Sequence, residues 1–220
     1  MNRVIFTLLI FFCASCSTRS SKDYFVEAEQ LSARGEYEAS IKMLDKAILL
    51  EPDYIDAYLN RGADKSALGR HQDALKDYGN VIRLDSSNTL ALFNIGNNYE
   101  KLSDYNRALS YLNAAFETKG GERLQVELLP EEFSDEYKYD VHSSIIHYER
   151  GIVYYNLGKL ALAYDDFMTA FKLGYHAGYC YYWLGHVNKA SGKKGEACYY
   201  FGLARKHRVE IIASELAYCQ

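Results

Sequence analysis

Gly35 to Pro52 reads GEYEASIKMLDKAILLEP, a helix-length run opened by a glycine, closed by a proline and carrying small residues at set places. Sliding it by 34 residues brings Gly35 onto Gly69 and aligns GRHQDALKDYGNVIRLDS, so that Ser40 meets Ala74, Leu44 meets Tyr78 and Ala47 meets Val81. A second slide of the same length reaches SDYNRALSYLNAAFETKG, with Ala108, Leu112 and Ala115 in the same places and Ser103 where the glycine stood. The register then lapses and returns. GKLALAYDDFMTAFKLGY from Gly158 and GKKGEACYYFGLARKHRV from Gly192 are again 34 apart, marked by Ala163, Phe167, Ala170 and by Ala197, Phe201, Ala204. Repetition at this period makes a supersecondary motif the unit of structure, and directs the search for function to a surface that the units share.

Each run follows a second helical stretch with a small residue seven positions before the glycine site: Ala28, Gly62, Gly96, Gly151 and Gly185. The unit is therefore a helix pair. Small residues at fixed sites let two antiparallel backbones approach, and the larger Leu44, Tyr78, Leu112, Phe167 and Phe201 are expected to fill the gap between one pair and the next. Of fifteen small-residue sites, three per unit, only Val81 is not Gly, Ala or Ser.

This pattern resembles the tetratricopeptide repeat, a 34-residue helix pair with Leu-Gly, Tyr, Ala, Phe, Ala and Pro markers. YYWLGHVNKASGKKGEACYYFGLA carries the match best, through Tyr181, Leu184, Gly185, Ala197, Phe201 and Ala204. Glu27, Arg61 and Arg150 replace the marker leucine, and only Pro52 fills the closing proline site. The resemblance implies an all-α, right-handed superhelical solenoid of about five helix pairs: repeats one to three over 23–119, an acidic insertion over 120–140, and repeats four and five over 141–209. Residues 210–220, EIIASELAYCQ, are expected to form a capping helix on Ile211, Ile212 and Leu216.

The first twenty residues, MNRVIFTLLIFFCASCSTRS, place one arginine before an apolar run from Val4 to Phe12 that is too short to span a bilayer. CASC resembles the lipobox of bacterial lipoproteins, which implies a signal peptide over 1–15, acylation of Cys16 and a polar tether over 16–22 that holds the solenoid off the membrane. An envelope location, on the outer membrane, follows from that resemblance. Loss of 1–15 would leave a net charge of -5, and no basic run supplies the counterion release that nucleic-acid binding requires.

Chemistry-bearing constellations are sparse. The six histidines form no HExxH or comparable metal-ligand spacing, no glycine loop carries the lysine a phosphate cradle needs, and the adjacent Asp165 and Asp166 diverge on a helix, which reads as a solvated face. Neither an enzyme, a cofactor nor a metal is expected. Cys180 and Cys198 fall on the two helices of repeat five; a disulfide between them is one reading, and three free packed thiols, Cys219 included, is the preferred one.

In the family the inner groove comes from the first helix of each pair. Carried over by register it includes Phe25 and Glu29, Leu59 and Ala63, Phe93 and Asn97, Tyr148, Ile152 and Tyr155, and Tyr179, Tyr182 and His186. Tyrosine offers a rigid contact area with a polar tip, and the chain has 21, many of which (Tyr78, Tyr99, Tyr154, Tyr181) fall at packing sites instead. Asn60 and Asn94 match part of the family's carboxylate clamp, but Phe25 and Leu90 stand where its lysines belong, which disfavours that ligand class. The expected partner is an envelope protein or peptide segment. A glycan stacked on Tyr148, Tyr155, Tyr179 and Tyr182 is the alternative. The insertion GGERLQVELLPEEFSDEYKYD reads either as an acidic lip over the groove or as a solvated loop.

Overall fold

The computed structural model describes residues 19–118 and 139–220. The lipobox with Cys16 and nearly all of the acidic insertion lie outside them. The described residues form helices and turns without strands. The helices are α1 (Ser21–Ala33), α2 (Tyr37–Leu50), α3 (Ile55–Ala67), α4 (His71–Leu84), α5 (Thr89–Lys101), α6 (Tyr105–Glu117), α7 (Ser143–Asn156), α8 (Leu160–Lys172), α9 (Ala177–Ala190), α10 (Lys194–Lys206) and the short α11 (Ala213–Tyr218). Consecutive helices pack in five pairs, and each pair packs on the next. The first helices also touch one another in series, α1 to α3, α3 to α5, α5 to α7 and α7 to α9, which puts them on the inner side of the curve.

The turn inside each pair is the same device. Gly35, Gly69, Gly158 and Gly192 have φ between 70° and 77°, and the following residue returns its N–H to a carbonyl of the helix just ended, as Glu36 does to Leu31 at 2.9 Å. Only glycine enters that left-handed region without cost. Ser103 takes the same place at φ 59° and closes the same bond, Asp104 N–H to Tyr99. Where caps are read in side chains, Ser20 and Asp23 form a reciprocal box on α1, Asn88 accepts from Ala91 N–H on α5, and Asp104 accepts from Arg107 N–H on α6.

The small sites work inside their own pair. A methyl group on Gly62 would stand 2.7 Å from the Tyr78 ring, one on Gly96 2.8 Å from Leu112, one on Gly151 2.8 Å from Phe167 and one on Gly185 2.5 Å from Phe201. The large residues expected to separate one pair from the next therefore first close the space under the glycine of their own pair. They reach the neighbour as well: Phe167 stacks on Trp183 of α9 with ring centroids 5.8 Å apart.

Two departures from the marker leucine are explained by one substitution of chemistry. Arg61 on α3 makes two bonds to Asp77 on α4, at 2.6 and 3.0 Å, and Arg150 on α7 makes two to Asp166 on α8, at 2.7 and 2.8 Å. Both carboxylates are buried. Asp166 is thus not on a solvated face: it is closed under Arg150, with His147 Nδ1 at 2.7 Å, while its neighbour Asp165 is exposed. Burial pushes its carboxyl up, and the Arg150 and His147 bonds outweigh that and hold it below the ordinary range.

The thiols overturn both sequence expectations, the preferred one of three free thiols and the alternative of a bond between Cys180 and Cys198. Cys198 of α10 is bonded to Cys219, and among the described residues Cys180 is the free, buried thiol. Cys180 faces the core of α7 to α9, where burial pushes its pKa to about 12, whereas the chain after α10 folds back and brings Cys219 to α10. The cap is shorter than 210–220 and lies on another face than expected. Ile211 is buried, Ile212 and Leu216 are 53% and 41% exposed, and Glu215 is the residue of α11 turned inward. Among the described residues no helix is long and apolar enough to cross a membrane.

Candidate partner-binding groove

The residues carried over to the groove divide between surface and core. Leu59, Phe93 and Tyr148 are buried. Tyr148 stacks on Tyr175 at 4.4 Å, lies edge-on to Phe167, and its hydroxyl accepts a bond from the Trp183 indole at 3.0 Å. It is an inter-repeat spacer, so a sugar platform of four tyrosines is not assembled around it. Phe25, Asn97, Ile152, Tyr155, Tyr182 and His186 are half-buried, and Tyr179, Glu29 and Ala63 are exposed.

At the C-terminal end these residues converge. Tyr155 of α7 lies edge-on to Trp183 of α9 at 5.3 Å, and His186 sits among Tyr155, Tyr182, Trp183 and Phe201 with centroids 4.5 to 6.3 Å away. His186 Nε2 is 3.7 Å from Glu215 Oε1, too far for a hydrogen bond, and both His186 Nε2 and Glu215 Oε2 are buried without a hydrogen-bond partner. Burial lowers the His186 pKa, Glu215 opposes that, and Lys189 adds to it. Trp183, the single tryptophan, was not read from register as part of this cluster, because its site on the repeat carries no family marker.

Midway along, Asn94 and Asn97 line a hollow of about 280 Å³ together with Ala63, Ser66, His71 and Lys101, and Asn97 Oδ1 is buried there without a partner. Nearby, burial on α7 pushes Glu149 up to about 7; Lys101 across on α5 pulls it down and Glu100 pushes it further up. At the N-terminal end Phe25, Glu29, Asp56, Leu59, Asn60 and Leu90 surround a hollow of about 310 Å³ that Tyr139, from the connection into α7, also lines. The Tyr139 hydroxyl donates to Asp56 Oδ1 at 2.8 Å, and its carbonyl accepts the Leu90 N–H at 2.9 Å. Nothing in the repeat register points to Tyr139, since it lies outside every repeat. Asn60 and Asn94 line different hollows.

Among the described residues no group of three or more His, Cys, Asp or Glu is placed to hold a metal ion. What the inner face offers is aromatic surface, isolated acceptors and main-chain donors at helix starts, which suits recognition of another surface.

Two family models match the chain, described as TPR repeat over residues 29–63 and as tetratricopeptide repeat over residues 90–120. A curated relative, the TPR repeat-containing protein MJ1428 of Methanocaldococcus jannaschii, is 24% identical over 160 residues. The match takes in 63% of this chain and the chain spans only 28% of that relative. Among solved structures, that of PilW, titled a widely conserved type IV pilus biogenesis factor, superposes with a TM-score of 0.72 at 15% identity over 90% of this chain and 82% of its own. That of YrrB, titled a TPR protein with an unusual peptide-binding site, does so with a TM-score of 0.63 at 18% identity over 86% and 87%. Identities this low show a shared fold and nothing more. The chain thus carries tetratricopeptide repeats, and its described residues fold as a tetratricopeptide-repeat solenoid of five helix pairs with a C-terminal capping helix.

Proposed function

We propose that this protein is a non-enzymatic adaptor of the bacterial cell envelope, held to the membrane by acyl chains on Cys16 and gripping a protein segment along the inner face of the solenoid. The observation that carries the binding half is the continuous row of first helices, α1, α3, α5, α7 and α9, with Tyr155, Tyr179 and Tyr182 accessible along its C-terminal end. Such rings bury a large area at small cost in side-chain entropy. YrrB, described as a TPR protein with an unusual peptide-binding site, and PilW, described as a type IV pilus biogenesis factor, share the fold and are consistent with that reading.

A photo-crosslinking amino acid at position 182 is expected to trap a protein partner in cells, and the same residue at position 199, an exposed site on α10, is not. Equal products from both positions would remove the inner face as the binding surface. The anchoring half is tested separately. Wild type is expected to incorporate labelled palmitate and Cys16→Ala to remain uncut and unlabelled; label in the variant would show that Cys16 is not the acceptor.

A further inference from the structure

Leu49 and Leu50 are the last two residues of α2, and they are 81% and 55% exposed. The repeat register sets Leu49 apart. Its site is exposed in all five pairs, and the other four fill it with a charge: Arg83, Glu117, Lys172 and Lys206. Leu49 therefore does not serve the packing of its own pair. The place of the two leucines in the chain supplies a reason. Ser21, the first residue of α1, donates its hydroxyl to Glu51, the residue after Leu50, at 2.6 Å, so the leucines stand beside the point where the chain enters the solenoid. Cys16 precedes Ser21 by five residues, a stretch that reaches at most about 18 Å when fully extended. An acylated Cys16 thus brings a bilayer surface within reach of this helix end. The surroundings suit such a surface: Lys46, three residues before Leu49 and exposed, has its ammonium 5.2 Å from the Tyr24 ring, and the Arg19 guanidinium lies 4.3 Å from the same ring. A tyrosine with long basic side chains around it fits the level of the headgroups, where apolar stems and polar tips are both accommodated.

We propose that Leu49 and Leu50 form a second membrane contact, dipping into the lipid surface beside the anchor and seating the N-terminal end of the solenoid on the bilayer in one pose. The proposal deepens the anchoring half of the adaptor reading and rests on it. Acyl chains hold Cys16 but leave the body free to swing on its tether, and burying two leucine side chains at another point removes that freedom. Charge does not select the lipid. Arg19 is paired with Glu27, and the acids Glu51 and Asp53 follow the leucines, so the contact is apolar in origin and does not depend on anionic headgroups.

The test uses the chain as purified from membranes, reconstituted into protein-free vesicles of phosphatidylethanolamine with a minor share of phosphatidylglycerol. A nitroxide is attached at Leu49→Cys or, for comparison, at Lys206→Cys on α10; Cys198 and Cys219 are bonded to each other and Cys180 is buried, so the introduced thiol takes the label. At position 49, collisions with oxygen, which dissolves in lipid, are expected to outweigh those with a water-soluble nickel complex, and at position 206 the reverse. Leu50→Asp, carried together with the label at 49, should turn the first result into the second while the protein still floats with the vesicles. High salt and omission of phosphatidylglycerol should leave the signal at 49 in place. Chains that float yet give equal accessibility at 49 and 206 would overturn the proposal and leave the anchor standing. A signal at 49 that survives Leu50→Asp, or that high salt abolishes, would overturn it as well, since the leucine pair would not be what makes the contact. A label that is solvated on protein-free vesicles but shielded in envelope membranes would assign the leucines to a protein partner instead of lipid. Failure of the unmodified chain to float would remove the acyl anchor, and the proposal with it.

Discussion

Gly79 and Gly151 both sit inside helices, but a methyl group on the first meets nothing within 4 Å and on the second meets the Phe167 ring. Gly79→Ala is therefore expected to stabilise the fold by about 0.5–1 kcal/mol through helix propensity. Gly151→Ala should destabilise it by about 2 kcal/mol through overpacking, both read as shifts in urea midpoint at constant slope. Ser103, the non-glycine in the turn series, makes the opposite case: Ser103→Gly should gain up to about 1 kcal/mol by relieving the left-handed backbone. Glu149 gives a pH dependence of definite sign. Its folded-state pKa, about 7, lies above the ordinary carboxyl value, so the folded state holds a proton that the unfolded state has lost, and stability falls as pH rises through about 7. Glu149→Gln should be nearly neutral at pH 5 and raise the melting temperature at pH 8. The glycine sites were legible in the sequence because they recur in register. Glu149 was not, since its burial depends on α5 and α7 meeting across the 21 extra residues of the insertion.

Helix elements followed the repeat register closely, and the differences lie where one element meets the next. Arg61 and Arg150 read as lost leucines, yet each faces an aspartate 16 residues on, so the two pairs trade apolar packing for a buried ion pair. Arg150→Ala should cost about 3 kcal/mol or more, because it leaves Asp166 charged and buried. Arg150→Leu with Asp166→Tyr, which installs the residues that repeat five has at Leu184 and Tyr200, should recover more than half of that loss in denaturant melts. The Asp166 carboxyl is held below its ordinary value, so the contribution of the pair is present above about pH 4 and fades as pH falls through the folded value. α11 is the other junction the sequence left open, because disulfide pairing depends on where the chain turns after α10. The bond closes a loop with 21 residues of sequence separation, and Cys219→Ser is expected to cost about 3 kcal/mol and to speed hydrogen exchange across 211–218 before the rest of the array.

For the whole molecule, the 34-residue register made the solenoid legible because each pair repeats the same contacts, and a periodic contact leaves a periodic trace. The groove was less legible. Register places a residue on a helix but does not tell whether its ring faces solvent or slips between first helices, and so Leu59, Phe93 and Tyr148 proved to be core while Tyr155, Tyr179 and Tyr182 stayed accessible. The chain's own Tyr139 entered the groove from outside the repeats, where no register could place it. The central claim, that the inner face grips a protein of the envelope, is tested most directly by affinity capture from detergent-solubilised envelopes. Wild type is compared with Tyr155→Ser/Tyr179→Ser/Tyr182→Ser, after circular dichroism has shown the variant folded. The account predicts a protein recovered with wild type and lost from the variant; the same set of proteins recovered with both would contradict it.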